Sequence, residues 1–200
     1  MNSLPPNTVV LGITGASGAP LALSLFRELA LHPLTVHLVF SDVARELFAE
    51  ETGVAPQIAA LIAGVGDLRA HVEMHANDDF SAPIASGAYR WQAMVVCPAS
   101  MNTLSRIASG AADNLITRAA DVTLKERRQL ILVPRETPLS AVHLENMLKL
   151  ARLGAALIPP MLGFYFHPES LEDEINFVVG KVLDHLGVEH MLHPRGGERS

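Results

Sequence analysis

The chain has 200 residues, of which 49% are hydrophobic and 18% charged, and its formal net charge is −6. This acidic balance gives no reason to expect a nucleic-acid partner. No apolar stretch reaches membrane length, because the best candidate, residues 153–166, is interrupted by Pro159 and Pro160.

The N-terminal residues and the single cysteine further limit which class of protein this chain can belong to. The N-terminal residues lack the basic segment of a secretory signal. One cysteine, Cys97, rules out an internal disulfide framework and is expected to be inert core. We therefore expect one cytoplasmic domain over residues 1–200, with flexible tails at residues 1–7 and 188–200.

The first strong pattern is a glycine-rich turn between a predicted strand and a predicted helix. Residues 9–13 read as a buried strand, and residues 19–30 repeat apolar side chains at helical spacing. The turn between them is Gly12-Ile-Thr-Gly-Ala-Ser-Gly-Ala19, whose spacing matches neither a dinucleotide fingerprint nor a P-loop. This geometry places free backbone N–H groups beside an anion, although a tight turn without a ligand is an alternative.

A second strand is predicted over residues 35–40, and Ser41 then caps a helix that runs to about residue 51. In a doubly wound sheet this places the Ser41 hydroxyl near the glycine turn. Residues 54–70 give a weaker signal, a short apolar helix and a glycine-bearing turn. Residues 78–89 read as an irregular loop in which Ser86 and Gly87 could wrap a ligand.

The second half of the chain continues the alternation of strands and helices. Strands are predicted over residues 93–97, 129–133 and 155–158. Helices are predicted after the turn at 98–103, from Asp113 to Arg128, over 140–153 and over 170–186. Arg127 and Arg128 are interpreted as surface charges that complement a helix dipole.

This alternation predicts an α/β fold, a single Rossmann-like or flavodoxin-like domain with a mostly parallel sheet and helices on both faces. Ligands in such sheets bind outside the carboxyl ends of the strands. Four polar segments are expected at that edge: the glycine turn, Ser41, the 100–103 turn and the loop containing Arg135 and Glu136.

Several motifs occur in a fixed order along the chain. They are Thr14-Gly-Ala-Ser-Gly-Ala19, Cys97-Pro-Ala-Ser100, Asp113-Asn-Leu-Ile-Thr-Arg-Ala-Ala-Asp-Val122, Leu124-Lys-Glu-Arg-Arg128, Val133-Pro-Arg-Glu-Thr-Pro138 and His143-Leu-Glu-Asn-Met147. Together they make residues 9–186 resemble the flavin prenyltransferase (UbiX) family of the flavoprotein-decarboxylase-like superfamily.

The resemblance implies an enzyme that joins dimethylallyl phosphate to reduced FMN, by alkylation at N5 followed by ring closure at C6. It implies that the product, prenylated FMN, serves a partner decarboxylase of the UbiD type. Members are commonly homo-dodecamers with each site at a junction of subunits. No metal is expected, because basic side chains replace the Mg²⁺ of diphosphate-using prenyltransferases.

The resemblance also implies roles for individual residues. FMN would be bound by Gly15, Ala16, Ser17, Ser41, Ser100, Met101, Asn102, Thr103 and Arg135, together with the loop residues Ser86 and Gly87. Protons would be handled by Ser17, Glu51 and Glu136. The donor phosphate would be held by Arg118, Lys125, Tyr165 and Lys181, with Lys125 also acting in catalysis. Lys181 is arginine in some relatives, and Phe80 stands where relatives carry tryptophan.

The chemistry explains these residue types. Breaking an allylic C–O bond leaves a phosphate dianion and a cation-like dimethylallyl group. Basic side chains and a tyrosine hydroxyl can stabilise the departing charge. Ring closure also removes a ring proton, so a carboxylate or phosphate base is needed.

Other interpretations stay open. An FMN-dependent decarboxylase of the cysteine-peptide or phosphopantothenoylcysteine type shares the 98–103 turn. Such enzymes resemble one another in carrying a catalytic histidine about six residues before the tryptophan that is Trp91 here, and the region Ile84-Ala85-Ser86 has no histidine. A non-catalytic FMN carrier would have no use for the basic residues and Glu136 together. Glu51 could simply close the last turn of its helix. His71 and His75 lie four residues apart, but the sequence gives no third ligand close by, so a metal site is not favoured.

Overall fold

The computed structural model describes residues 7–192, so most of both predicted tails lies outside the described residues. The described part of the C-terminal tail is packed. Val188 belongs to the hydrophobic core, and the ring of His190 is buried with Nε2 3.2 Å from a carboxylate oxygen of Asp184. The chain is therefore held against the domain at least as far as His190.

The sheet of the described chain has six strands, and every pairing in it is parallel. The strands are β1 (Thr8–Ile13), β2 (Thr35–Phe40), β3 (His71–His75), β4 (Ala93–Ala99), β5 (Gln129–Pro134) and β6 (Ala156–Leu157). Their order is β3-β2-β1-β4-β5-β6. The crossover direction reverses between β1 and β4, which opens a crevice at their carboxyl ends.

Seven α-helices within residues 7–192 cover the sheet. They are α1 (Ala19–Ala30), α2 (Asp42–Thr52), α3 (Ile58–Ile62), α4 (Met101–Ser109), α5 (Leu115–Lys125), α6 (Ala141–Arg152) and α7 (Leu171–Leu186). Short 3₁₀ turns occur at Pro83–Ala85 and Phe164–Phe166. Side chains of Ser41, Ser100, Asn114, Ser140 and Ser170 accept hydrogen bonds from the first turns of their helices, which explains where those helices begin. No described helix is long and apolar enough to cross a membrane.

The helices form two layers with separate cores. One core joins α1 and α7 to one face of the sheet, and the other joins α4 and α5 to the opposite face. The predicted α/β fold with helices on both faces is confirmed. Cys97 lies in the first core at 2% exposure, and burial raises the pKa of its thiol to about 12.

The structure corrects two predictions. Strand β3 was not predicted, because it is a five-residue edge strand in which His71, Glu73 and His75 alternate with only two apolar residues. Helix α5 ends at Lys125 rather than Arg128, and Arg127 has a left-handed φ of 56°.

Arg128 is not a simple surface charge. Its guanidinium lies 4.0 Å from the centre of the Trp91 ring and donates a hydrogen bond to the Gly87 carbonyl (3.0 Å).

Candidate active site at the strand ends

Thr14 joins the glycine turn to the turn before α4. Its backbone N–H and its hydroxyl both donate to the Pro98 carbonyl, at 3.2 and 2.8 Å. The same hydroxyl oxygen accepts a hydrogen bond from the Ser100 N–H at 2.8 Å. Thr14 is 2% exposed, so these bonds are shielded from water and fix the two turns relative to each other.

A polar hollow with a cavity volume of about 180 Å³ lies between these turns. It is lined by Gly15, Ala16, Ser100, Met101, Asn102, Arg135, Glu136 and His143. The structure thus brings together predicted residues from three separate segments of the chain.

His143 is the one lining residue that the sequence analysis did not propose as a site residue. Its Nδ1 accepts a hydrogen bond from the Ser140 N–H (3.2 Å), so its local role is to cap α6. The position of His143 in the 143–147 motif was the signal that could have identified it.

The hollow has the properties of an anion site. The Nε of Arg135 donates to the Ser17 carbonyl at 3.0 Å, which brings the half-buried guanidinium to the glycine turn. The hollow also contains the first residues of α4, whose N-terminus carries a partial positive charge.

Gly15 is required sterically at the floor of this site. A Cβ at Gly15 would lie 2.7 Å from Cγ1 of Val43, so only glycine fits there without movement of α2 or its side chain. These features fit the phosphate group of a flavin nucleotide.

Ser41 lies beside the glycine turn, as predicted. Its N–H donates to the Ile13 carbonyl (2.9 Å), and its hydroxyl accepts from the Ala44 N–H (3.3 Å). The hydroxyl therefore caps α2 in this structure, and flavin contact by Ser41 stays a prediction.

Glu51 is the N-terminal cap of α1, supplied from another helix. One of its carboxylate oxygens accepts hydrogen bonds from the N–H groups of Gly18 (2.9 Å) and Ala19 (2.8 Å). Burial alone would raise the pKa of Glu51. The hydrogen bonds from Ser17, Gly18 and Ala19, with the charge of Arg135, outweigh burial and hold that pKa below its usual value. Glu51 is therefore more than the last turn of α2.

A larger cavity adjoins the polar hollow, and a second large cavity adjoins the first. One, of about 400 Å³, shares Met101, Arg135 and Glu136 with the hollow and reaches Pro160 and Met161. The other, of about 440 Å³, shares Pro160 and Met161 with the first and extends to Ser17, Glu51 and apolar residues of α7. A polar site and an apolar site therefore lie side by side along the strand ends.

The four predicted donor-phosphate residues divide into two pairs. The Tyr165 ring lies 5.9 Å from that of Phe177, and Lys181 Nζ lies 5.5 Å from the centre of the same ring. Arg118 is on α5, on the other side of the sheet, where its Nε donates to the Ala85 carbonyl (2.9 Å). Lys125 is exposed at the end of that helix. Within the described part of one chain, the fold does not bring the pairs together.

Of the predicted loop residues, Ser86 is exposed, and Gly87 packs against the residues that follow α5. A Cβ at Gly87 would lie 2.6 Å from a carboxylate oxygen of Glu126, and its carbonyl accepts from Arg128. Neither residue lines the polar hollow. Their contact with flavin stays a prediction, as does that of Phe80, which is 50% exposed.

Comparison with known proteins gives a consistent result. The flavoprotein family model matches residues 2–183. A flavin prenyltransferase UbiX from Alkalihalophilus pseudofirmus is 48% identical over 192 residues, which cover 95% of this chain and 96% of the relative.

Solved structures agree with the sequence relatives. A dodecameric FMN-dependent UbiX-like decarboxylase from Escherichia coli O157:H7 matches with a TM-score of 0.84 at 46% identity, covering 94% of this chain and 98% of that one. AnUbiX, solved in complex with FMN and dimethylallyl pyrophosphate, matches with a TM-score of 0.82 at 40% identity, covering 92% and 97%.

Proposed function

The chain belongs to the flavoprotein family and, within it, to the flavin prenyltransferases, and we infer that it attaches a dimethylallyl group to FMN at the strand ends. The observation that carries the location is the polar hollow, which is connected to the apolar cavity through the cavity that Arg135, Glu136, Pro160 and Met161 line. A phosphate and a short hydrocarbon chain each find a matching surface there.

The polar hollow is proposed as the place of the FMN phosphate. Arg135 supplies a guanidinium, Gly15 permits close approach of the backbone, and the first residues of α4 supply N–H groups. When bound and reduced, FMN supplies the nucleophilic N5 and the ring carbon C6 to which the dimethylallyl group becomes attached.

Glu51 and Ser17 are proposed to act at the border of the apolar cavity. Both line it, and hydrogen bonds hold Glu51 as a carboxylate. A fixed carboxylate at an apolar wall can stabilise a cation-like dimethylallyl group and accept a proton through the Ser17 hydroxyl. Glu136, which lines both the hollow and the neighbouring cavity, is proposed to pass a proton to the departing phosphate.

We propose that the donor-phosphate site is completed by a second copy of the chain. Lys125 and Arg118 lie on the opposite face of the sheet from Tyr165 and Lys181. The described surface near Tyr165 exposes Met161, Leu162 and Phe164 at 65–76%, an apolar area of the kind that subunits bury. The dodecameric Escherichia coli relative supports a homo-dodecamer for this chain too.

Three further expectations are proposals of the same kind. A UbiD-type decarboxylase would receive the prenylated FMN, the chain would work in the cytoplasm, and the transfer would need no metal. The proposal includes both the monophosphate and the diphosphate as donor, because AnUbiX was solved with dimethylallyl pyrophosphate.

The experiment is to incubate the protein with reduced FMN and dimethylallyl phosphate, or with the diphosphate. The flavin spectrum is recorded, and the mass of the extracted flavin is measured. We expect a gain of one dimethylallyl group. The saturated 3-methylbutyl phosphate is the matched control, because it cannot form an allylic cation. Unmodified flavin with both allylic donors would overturn the proposal, and CO₂ release from a cysteine peptide would support the decarboxylase alternative.

A further inference from the structure

Three metal-ligating side chains meet on one face of the sheet edge, away from the residues that line the polar hollow. His37 on β2 pairs in register with Glu73 on the edge strand β3, and His75 follows Glu73 by two residues. Residues two apart on a strand share a face, so the backbone itself places all three side chains together.

The ligand atoms converge at distances that suit a small metal ion. His37 Nδ1 lies 2.9 Å from His75 Nε2 and 3.6 Å from a carboxylate oxygen of Glu73. Tetrahedral zinc with bonds of about 2.0–2.1 Å separates its ligands by about 3.3 Å. The two observed distances lie on either side of that value, and all three ligand atoms lie within 4.8 Å of one another.

The surroundings of His37 match those of a metal ligand. Its side chain is fully buried, and its Nε2 lies 2.9 Å from the Tyr89 hydroxyl. A hydrogen bond at the second ring nitrogen fixes the orientation of a ligating histidine and leaves the other nitrogen free to bind.

We propose that His37 Nδ1, His75 Nε2 and a carboxylate oxygen of Glu73 bind one Zn²⁺ ion, with solvent at the fourth position. Two imidazoles and one carboxylate are a ligand set that zinc takes with an open position. Solvent reaches the site from the Glu73 side, because that side chain is 40% exposed.

The ion would hold an element that the active site uses. Residue Asn77, two positions after His75, accepts hydrogen bonds from the N–H groups of Leu115 (2.7 Å) and Ile116 (3.2 Å) at the start of α5. A metal between β2 and β3 would therefore fix the strand whose continuation caps the helix that carries Arg118 and Lys125.

The test uses the full chain with its FMN. Chelator-treated protein is titrated with Zn²⁺ in competition with a chromophoric chelator, and crystals are measured at the zinc absorption edge. We expect one ion per chain, an anomalous peak between His37 and His75, and a higher melting temperature with zinc. His75→Gln and Glu73→Gln should each weaken binding by at least about 100-fold, and Tyr89→Phe by about 10- to 100-fold.

His71→Gln is the matched control. His71 lies on the same strand and touches Glu73 (3.2 Å) but is 70% exposed and outside the proposed ligand set, so the zinc affinity should not change. The FMN content of each variant shows whether it is folded. If His75→Gln does not fold, Glu73→Gln still tests the site, because the Glu73 side chain is partly exposed. If the wild type does not take up one zinc ion per chain, the contact between His37 and His75 is only a hydrogen bond between their rings. Loss of zinc in His71→Gln with retention in His75→Gln would place the ion on the surface. Either result overturns the proposal.

Discussion

The polar hollow and the donor-phosphate residues differ in how much of each site one chain builds. The hollow lies between two turns at the strand ends, which Thr14 connects through three hydrogen bonds. Arg135 is hydrogen-bonded to the Ser17 carbonyl in the glycine turn. Tyr165 is 74% exposed and meets Lys181 only around the ring of Phe177, while Lys125 is exposed on the other side of the sheet.

One chain builds the polar hollow by itself, whereas the proposed donor-phosphate site requires assembly of several chains. The two turns that line the hollow are held together by the buried hydrogen bonds of Thr14. Residues 160–167 are attached to α7 by the Gly163 N–H, which donates to the Glu174 carboxylate (3.1 Å), and by stacking of Phe166 on Phe177. Several apolar side chains of this loop are nevertheless exposed, as is typical of a surface that a partner subunit covers. The predictions below test this division, from the largest effect to the smallest.

Glu136→Gln tests whether Glu136 is chemical or structural. Glu136 accepts a hydrogen bond from the Thr137 N–H (3.0 Å), and glutamine can accept the same bond. Glutamine cannot pass a proton, however, so prenyl transfer should slow by roughly 10²–10⁴-fold if acid–base catalysis is the role. Stopped-flow traces of the reduced, flavin-loaded variant measure this rate.

The control for Glu136 is Glu145→Gln, an exposed glutamate on α6 that does not line the described cavities named above. It should transfer at the wild-type rate. Wild-type rates in Glu136→Gln as well would leave Glu136 as a turn residue.

Arg135→Ala should weaken FMN binding by about 1.5–3 kcal/mol, the range for a hydrogen bond to a charged group. This corresponds to roughly 10- to 150-fold in the dissociation constant. Equilibrium dialysis with FMN measures the dissociation constant. The constant of Arg135→Lys should lie between those of the wild type and Arg135→Ala, because lysine keeps the charge but lacks the planar guanidinium. Unchanged affinity in Arg135→Ala would remove the 134–138 loop from the flavin site.

Mixing two inactive variants tests the division directly. If Lys125 and Lys181 of one site come from different chains, Lys125→Ala and Lys181→Ala subunits can together form intact sites. Random one-to-one reassembly leaves about a quarter of the sites with both lysines, since each is intact in half of the subunits. Activity near that level is expected after dissociation and reassembly. No recovery, with mixed oligomers shown by mass spectrometry, would mean that one chain supplies both lysines.

The sequence predicted which segments meet around the polar hollow, but it did not predict where the proposed donor-phosphate residues lie relative to one another, for a physical reason. The glycine turn, Ser41 and the 100–103 turn follow strongly apolar strands, so their place at one sheet edge follows from topology alone. The edge strand β3 was missed because its polar residues outnumber its apolar ones. His143 was missed because its role depends on a contact that only the packing of α6 creates.

The relation between Arg118, Lys125, Tyr165 and Lys181 could not be deduced from periodicity. Helical spacing places side chains on a face of one helix, and it carries no information about which face meets another subunit. The resemblance to a family supplied these residues, and their joint action stays a prediction.

The smallest expected effect concerns Glu51, which is hydrogen-bonded to the end of the glycine turn. Its carboxylate caps α1, and such a cap on a partly exposed residue contributes about 0.5–1 kcal/mol to the free energy of unfolding. Because the folded-state pKa of Glu51 lies below its usual 4.5, this stabilisation is present above pH 4.5 and is lost as the pH falls through the folded value. The stability difference between wild type and Glu51→Gln should therefore be constant near neutral pH and shrink in acid.

Denaturant unfolding at one fixed subunit concentration, between pH 7 and pH 3.5, measures that difference. Glu50→Gln, one residue earlier and exposed, is the matched control and should unfold like the wild type at every pH. A Glu51→Gln variant as stable as the wild type at pH 7 would show that the Gly18 and Ala19 N–H groups bind water equally well. The rigidity of the flavin side would then rest on the Thr14 hydrogen bonds alone, and Glu51 would be free to serve the chemistry.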